Sequence, residues 1–347
     1  MGDMFAPPAS EYRSLPKVDL HRHLEGSLRL QTMLDVAREH GMTVPATVVR
    51  LSRLVQVQDE EPLTFENFLG KFNTLRMFYR SPEVIDRITR EAIEDAARDN
   101  VRYLELRFTP VALSRAERFP LHDVMAWVCA SAREASRKYG ISVRLIASVN
   151  RHESVELAEQ VIWIAADHKD KGIVGVDLAG NEAQFPAKPF LSLFKEAQQA
   201  GLSVTIHAGE WSGPENVREA IEQFHAARIG HGVRILEDEY VTALAREHKT
   251  TFEVCLTSNY QTGVVPSLET HQAARMIASG LDVTINTDDP SISQITLSNE
   301  YQIAVESLKM SRDLLKERIL AAARAAFLPD GDKKKVVGML EKELKKN

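Results

Sequence analysis

Eight short, mostly apolar runs alternating with stretches of helical period set the strongest constraint on what this chain folds into. The runs are residues 18–21, 101–108, 143–149, 173–178, 203–207, 227–230, 251–255 and 282–286. Most are nearly continuous in apolar character, as strands buried on both faces should be, because a strand with one wet face alternates polar and apolar residues. Between them, segments 84–99, 121–139, 154–168, 189–200, 214–224, 237–248 and 271–279 repeat apolar residues with helical spacing. This order predicts an α/β fold, a (β/α)8 TIM barrel, with 1–347 forming a single domain.

Two segments depart from the rhythm. About eighty residues separate the first two strands, far more than a crossover needs. Within them Phe65, Phe68, Leu69, Phe72 and Leu75 form a helical stripe. The stripe is either a core-facing helix or a lid beside the barrel mouth, since long barrel loops often act as lids. The lid reading puts Phe68 and Phe72 against the substrate. At the other end, 311–347 reads as helices packed outside the barrel, with a turn at Leu328, Pro329, Asp330 and Gly331.

Composition closes off several classes of function. A net charge of −6 offers no electrostatic footprint for nucleic acid. The run Lys333-Lys334-Lys335 is offset by Asp330, Asp332, Glu341 and Glu343 and reads as a solvated helix face. The two cysteines, Cys129 and Cys255, allow neither a disulfide framework nor a Cys-x-x-Cys metal motif. They fit a reducing, cytoplasmic setting. Residues 1–14 lack the apolar core of a signal peptide. No stretch approaches the roughly 18 consecutive apolar residues of a membrane span. Nothing in the sequence fixes an oligomeric state.

The polar residues at the strand ends carry the chemistry. In a (β/α)8 barrel the active site lies at the C-terminal ends of the strands. Strand one ends in His21 and His23, which alternate along the chain and so share a face. Strand four ends in Asp177-Leu178-Ala179-Gly180-Asn181-Glu182, strand five in His207-Ala208-Gly209-Glu210, strand six in Gly230-His231-Gly232, and strand eight in Asn286-Thr287-Asp288-Asp289-Pro290. A lone histidine is usually structural, and Asp-Asp-Pro is a common turn. Five of eight strands ending in His, Asp or Glu is better explained by a site at the mouth. Three histidines with one aspartate suit zinc, and without paired cysteines a catalytic site with an open coordination position is expected.

At this point the chain resembles the adenosine deaminase family of metal-dependent amidohydrolases. The matching stretches are Pro16 through Ser27 (PKVDLHRHLEGS), Asp177-Leu178-Ala179-Gly180, His207-Ala208-Gly209-Glu210, Arg228-Ile229-Gly230-His231-Gly232, Phe252 through Asn259 (FEVCLTSN) and Asn286-Thr287-Asp288-Asp289-Pro290. They fall in order across most of the chain. The resemblance implies one zinc per chain, held by His21, His23, His207 and Asp288. It implies that Glu210 protonates purine N1, that His231 and Asp289 orient and deprotonate the attacking water, and that the Gly180 backbone meets the purine N3 edge. The implied reaction is hydrolytic deamination of adenosine or 2′-deoxyadenosine to inosine or 2′-deoxyinosine, with a free nucleoside rather than a nucleic acid as partner.

The resemblance also leaves the substrate's 5′ end open. The family includes deaminases of adenine, of N6-modified adenosine monophosphate and of aminodeoxyfutalosine. The stripe from Phe65 to Leu75 and the stretch Glu105-Leu106-Arg107-Phe108-Thr109-Pro110 resemble the nucleoside branch. Glu25 stands where the adenosine enzymes carry Asp, at the position expected to meet the ribose 5′ end, and Leu256 stands where proline is common. An adenosine with an altered 5′ group is therefore an alternative substrate. A non-catalytic nucleoside-binding relative is a second alternative, although it would be expected to lose Glu210 or a zinc ligand.

Overall fold

The computed structural model describes residues 7–346; the outermost parts of both terminal segments read above, Met1 to Ala6 and Asn347, lie outside the described residues. The eight strands are β1 (Lys17–His23), β2 (Val101–Phe108), β3 (Ser142–Asn150), β4 (Ile173–Ala179), β5 (Ser203–Ala208), β6 (Arg228–His231), β7 (Thr251–Val254) and β8 (Asp282–Ile285). Each pairs in parallel with the next, in chain order. Their residues are almost all buried, as strands covered by side chains within and helices without must be.

The barrel is drawn together where its last strand meets its first, and metal-type residues form that seam. The His23 N–H donates to the Asp288 carbonyl at 2.8 Å, and the Asp288 N–H donates to the His21 carbonyl at 2.8 Å. Below them the Leu20 N–H donates to Asn286 Oδ1 at 2.9 Å. The backbone at Asp288 takes a left-handed φ of +63°, and His231 takes +62°. Non-glycine residues in this region are uncommon, and they cluster at functional sites.

The helices start where the sequence supplies caps. Ser81 accepts from the Val84 N–H with Pro82 in the first turn of Pro82–Arg98, and Ser154 caps Val155–Asp167 by accepting from the Leu157 N–H. The connection after β1 folds into Leu30–Glu39, Val48–Val55 and Phe65–Leu75 before the crossover helix Pro82–Arg98. The striped helix Phe65–Leu75, capped by Thr64, lies over the barrel mouth.

The C-terminal segment differs from its sequence reading in two ways. Helix Asp330–Leu344 begins at Asp330, with Pro329 as its N-cap, so the turn is shorter than expected. The residues before it also do more than cover the outside. Helix Arg312–Ala325 packs on β8 and β1, completing the outer ring. The Phe327 N–H donates to Glu105 Oε1 at 2.6 Å, and its ring lies 3.5 Å from the Arg228 guanidinium. Phe327 thus stoppers the barrel floor with a cation–π contact, opposite the mouth. No helix among the described residues is long and apolar enough to cross a membrane.

Candidate active site

The site grows from the C-terminal ends of β1, β5, β6 and β8. β1 sets His21 and His23 side by side with ring centroids 5.3 Å apart, and β5 brings His207 to 4.6 Å from His21. β6 adds His231 at 4.9 Å from His21. The seam turns Asp288 inward, with Oδ1 3.4 Å from both His21 Nε2 and His23 Nε2. Ligand atoms of His21, His207 and His231, and those of His21, His23 and Asp288, lie within 4.8 Å of one another.

Side chains behind the histidines settle which ring nitrogen faces inward. His21 Nδ1 lies 2.8 Å from Glu253 Oε2, and His207 Nδ1 lies 2.9 Å from Asp177 Oδ1. With Nδ1–H spent on a carboxylate, each Nε2 keeps its lone pair for a metal. His21 Nε2 is buried and has no hydrogen-bond partner. Buried polar atoms are normally satisfied, so this one marks a missing ligand. Imidazole nitrogens with a carboxylate oxygen, and carboxylates orienting the rings, fit a zinc-type divalent ion. Cys255 also lies within reach of His231 and Asp288, with its thiol donating to the Glu253 carbonyl at 3.7 Å.

The proton-transfer residues surround this cluster. Glu210 is only 4% exposed, and burial together with the charges of Asp288 and Glu182 holds its carboxyl well above the ordinary range. Asn259 Nδ2 lies 3.2 Å from Glu210 Oε1 and 3.1 Å from His231 Nδ1, linking the two. Burial also lowers the His231 imidazole well below its ordinary value, which keeps the ring neutral. Asp289 Oδ1 is buried without a partner, and burial beside Asp288 pushes its carboxyl up.

Two carboxylates fix the loops that carry these groups. Glu182 accepts the backbone N–H groups of Gly209, Glu210, Trp211 and Ser212 at 2.7–3.0 Å, which pins the β5 loop. Glu300 accepts from the N–H of Leu256 at 2.6 Å and of Thr257, holding the β7 loop. A proline at 256 could not donate that hydrogen bond. Leu256 is buried beneath the loop and outside the cavity lining, so its departure from the family pattern concerns loop anchoring rather than the substrate's 5′ end.

Above the cluster lies a cavity of about 500 Å³, a volume suited to a small organic ligand. Its lining includes Glu25, Gly180, Glu210, His231, Asp289, Phe68 and Phe72 together with His23, His207 and Asp288, while His21 lies fully buried outside the lining. Phe68 is also a core residue at 2% exposure, whereas Phe72 is half-buried. Phe65 stacks on Trp211, centroids 5.0 Å apart, joining the lid to the loop of Glu210. Glu25 Oε1 accepts from the Thr109 N–H at 2.7 Å, while Oε2 is buried without a partner. Arg76, at the end of the lid helix, also lines the cavity with Nε unpartnered and its guanidinium 5.5 Å from the Phe72 ring.

The sequence reading gave no role to Glu253, Arg107, Glu182, Asn259, Glu300, Trp211 or Arg76. The available signal was the charge inside strands otherwise apolar: Glu105 and Arg107 in β2, Glu253 in β7. Buried charges without partners are costly, so such residues announce partners elsewhere in the fold.

Comparison with known proteins agrees with this geometry. The adenosine deaminase family model matches residues 16–343. The adenosine deaminase of Klebsiella pneumoniae strain 342 is 36% identical over 330 residues, covering 95% of this chain and 98% of its own. An amidohydrolase of Burkholderia ambifaria, solved with bound zinc, superposes with a TM-score of 0.86 at 26% identity, covering 97% of this chain and 94% of that one. The N6-mAMP deaminase of Arabidopsis superposes at 0.85 and 30% identity, covering 96% and 100%. The site is that of a barrel hydrolase acting on carbon–nitrogen bonds in a metal-dependent family. The chain belongs to the adenosine deaminase family.

Proposed function

We propose that this chain is a zinc-dependent aminohydrolase that converts adenosine and 2′-deoxyadenosine to inosine and 2′-deoxyinosine, releasing ammonia. One zinc per chain would be held by His21, His23, His207 and Asp288. When bound, the metal supplies Lewis acidity that lowers the pKa of a water toward neutrality.

The observation that carries the reading is the placement of Glu210, a buried carboxyl pushed toward its acid form by burial and by Asp288 and Glu182, beside a cluster of metal-type donors. Its proton goes to purine N1, which makes C6 electrophilic. Water adds its oxygen to C6 and gives a proton to the Asp289 carboxylate, made a stronger base by burial and by Asp288, through its unpartnered Oδ1. Asn259 Nδ2 donating to His231 Nδ1 leaves Nε2 as the protonated nitrogen, a neutral donor for the oxygen charge that develops at C6. Asp289 passes its proton to the amino group, which leaves as ammonia. The C6 hydroxyl returns a proton to Glu210 as the carbonyl forms, and N1 keeps the proton it received. The left-handed backbone at Gly180, φ +94°, presents its N–H to the purine edge, while Phe68 and Phe72 cover the base.

A second reading is favoured by Arg76. An unpaired guanidinium nitrogen at the cavity edge, near Glu25, suits an adenosine whose 5′ side carries an acceptor or anionic group. The similarity to an N6-mAMP deaminase points the same way. A deamination screen separates the two. Adenosine, 2′-deoxyadenosine, adenine, 5′-methylthioadenosine, N6-methyl-AMP and aminodeoxyfutalosine are followed by ammonia release and the ultraviolet shift of the purine. Highest kcat/KM on adenosine and 2′-deoxyadenosine supports the first reading. Preference for a 5′-altered compound supports the second, and no turnover of any of them with zinc loaded overturns both.

A further inference from the structure

The barrel interior holds a buried ion network beneath the metal-type cluster, and one side chain joins its parts. Arg107, fully buried on β2, donates from Nη2 to Glu253 Oε2 at 2.7 Å and to the Leu20 carbonyl at 2.8 Å. Its Nη1 lies 3.3 Å from Asp177 Oδ2. The same Glu253 Oε2 faces His21 Nδ1, and the other oxygen of the Asp177 carboxylate, Oδ1, faces His207 Nδ1. One guanidinium therefore spans the two carboxylates that orient two of the proposed zinc ligands, on strands β7 and β4.

We infer that Arg107 is a positioning residue that sets zinc affinity by clamping Glu253 and Asp177 in the orientations that aim His21 and His207. The geometry needs arginine in particular. Two buried carboxylates repel each other, and a planar fork with fixed donor directions holds both while also bonding the Leu20 carbonyl. An ammonium is a single point charge and cannot hydrogen-bond Glu253 and the Leu20 carbonyl from one nitrogen while setting a second charged nitrogen 3.3 Å from Asp177. The network continues downward. Arg228 Nε donates to Glu253 Oε1 at 2.5 Å, Arg228 also pairs with Glu105, and Phe327 closes over it. Glu253 is thus held from above by Arg107 and from below by the barrel floor, leaving little freedom for the carboxylate that faces His21.

The test measures zinc rather than turnover. Wild type, Arg107→Lys and Arg107→Met are stripped and titrated with zinc against a competing chelator. Melting of each metal-free chain is recorded, and the visible spectrum of each is taken with cobalt(II) in place of zinc. Loss of a group that orients a metal ligand typically weakens binding about 10–100-fold. Arg107→Met should fall in that range, Arg107→Lys should weaken binding by a smaller factor, and both should alter the cobalt spectrum. An outer-layer variant such as Val128→Ala, chosen for lost packing alone, should lower melting without moving zinc affinity or the spectrum. If Arg107→Met accumulates unfolded, Arg107→Lys, which keeps the buried positive charge, decides. Wild-type zinc affinity and cobalt spectrum in the folded variants overturn the inference. Failure of wild type to bind zinc would instead overturn the metal assignment on which it rests.

Discussion

Asp289 occupies the space that a side chain on Gly26 would need: a Cβ built there falls 1.8 Å from Asp289 Oδ1 and 2.4 Å from its Cβ. Gly26 follows β1 and Asp289 follows β8, so the residue proposed as base is packed against the backbone of the ligand strand. The glycine is required by close approach, because no positive φ is recorded for it.

Gly26→Ala should therefore displace Asp289. Overpacking of this kind typically costs about 1–3 kcal/mol. The expected result is a lower Tm together with a loss of kcat near that of Asp289→Asn. Gly26→Ala combined with Asp289→Gly should recover Tm without recovering kcat. Full activity in Gly26→Ala would show that Asp289 has room to move and is not held as the base.

Glu210→Gln should keep fold and zinc yet lose most activity. The amide cannot give N1 a proton, and general acid catalysis contributes about 10²–10⁴-fold. Burial beside Asp288 and Glu182 raises the Glu210 carboxyl, so its acid form persists to higher pH than an exposed glutamate's. The needed form is the protonated one. In wild type, kcat/KM should hold as pH rises from the ordinary glutamate range and fall as Glu210 ionises. Turnover by Glu210→Gln within a few-fold of wild type would mean that the proton comes from another group.

The barrel was legible because strands buried on both faces leave continuous apolar runs. β2 matches its sequence reading, and helix Leu121–Tyr139 does too. The mouth was legible because His21, His207, His231 and Asp288 each stand at a strand end, where the fold dictates that a site lies. The support behind the mouth was not. Arg107 and Glu253 are 146 residues apart in sequence and meet only because the barrel closes. Glu182 reads as one more loop acid until the β5 loop wraps its carboxylate. The role of Phe327 was hidden for the same reason, since only the closed barrel has a floor for its ring to cover.

Zinc removal tests the ligand set directly. Metal analysis should find close to one equivalent per chain, and chelation should abolish activity and lower Tm, because a ligand bound only by the folded state stabilises it. Asp288→Ala should lose zinc without opening the barrel. Its backbone N–H and carbonyl, which form the seam with His21 and His23, remain in place. Two equivalents of zinc, or activity retained without metal, would contradict a single-metal site.

The lid separates packing from contact in two neighbouring phenylalanines. Phe68 is part of the core, and its truncation should cost about 3–5 kcal/mol whatever its role in binding. Phe72 is half-buried, so it is the cleaner probe. Phe72→Ala should raise KM for adenosine several-fold with a small change in Tm. A normal KM would place the Phe72 ring outside the substrate's reach and leave the cation–π contact with Arg76 as its role.

Glu25 decides how the 5′ end is read. One carboxylate oxygen is held by the Thr109 N–H and the other, Oε2, is buried with nothing to bond. Burial raises its carboxyl above the ordinary range, the direction expected of an acid lacking a full set of donors. A 5′-hydroxyl would supply the missing partner. Losing such a partner leaves the protein's buried polar group unpaired, which typically costs about 1–3 kcal/mol, more for a charged group. 5′-Deoxyadenosine should therefore lose about 5- to 150-fold in kcat/KM against adenosine, since about 1.4 kcal/mol is a factor of ten. Glu25→Ala should shrink that difference, because the orphaned oxygen is gone in both complexes. Arg76→Ala should leave it nearly unchanged if the 5′ group is a hydroxyl. If wild type instead prefers a 5′-anionic compound and Arg76→Ala erases the preference, Arg76 rather than Glu25 reads the 5′ end.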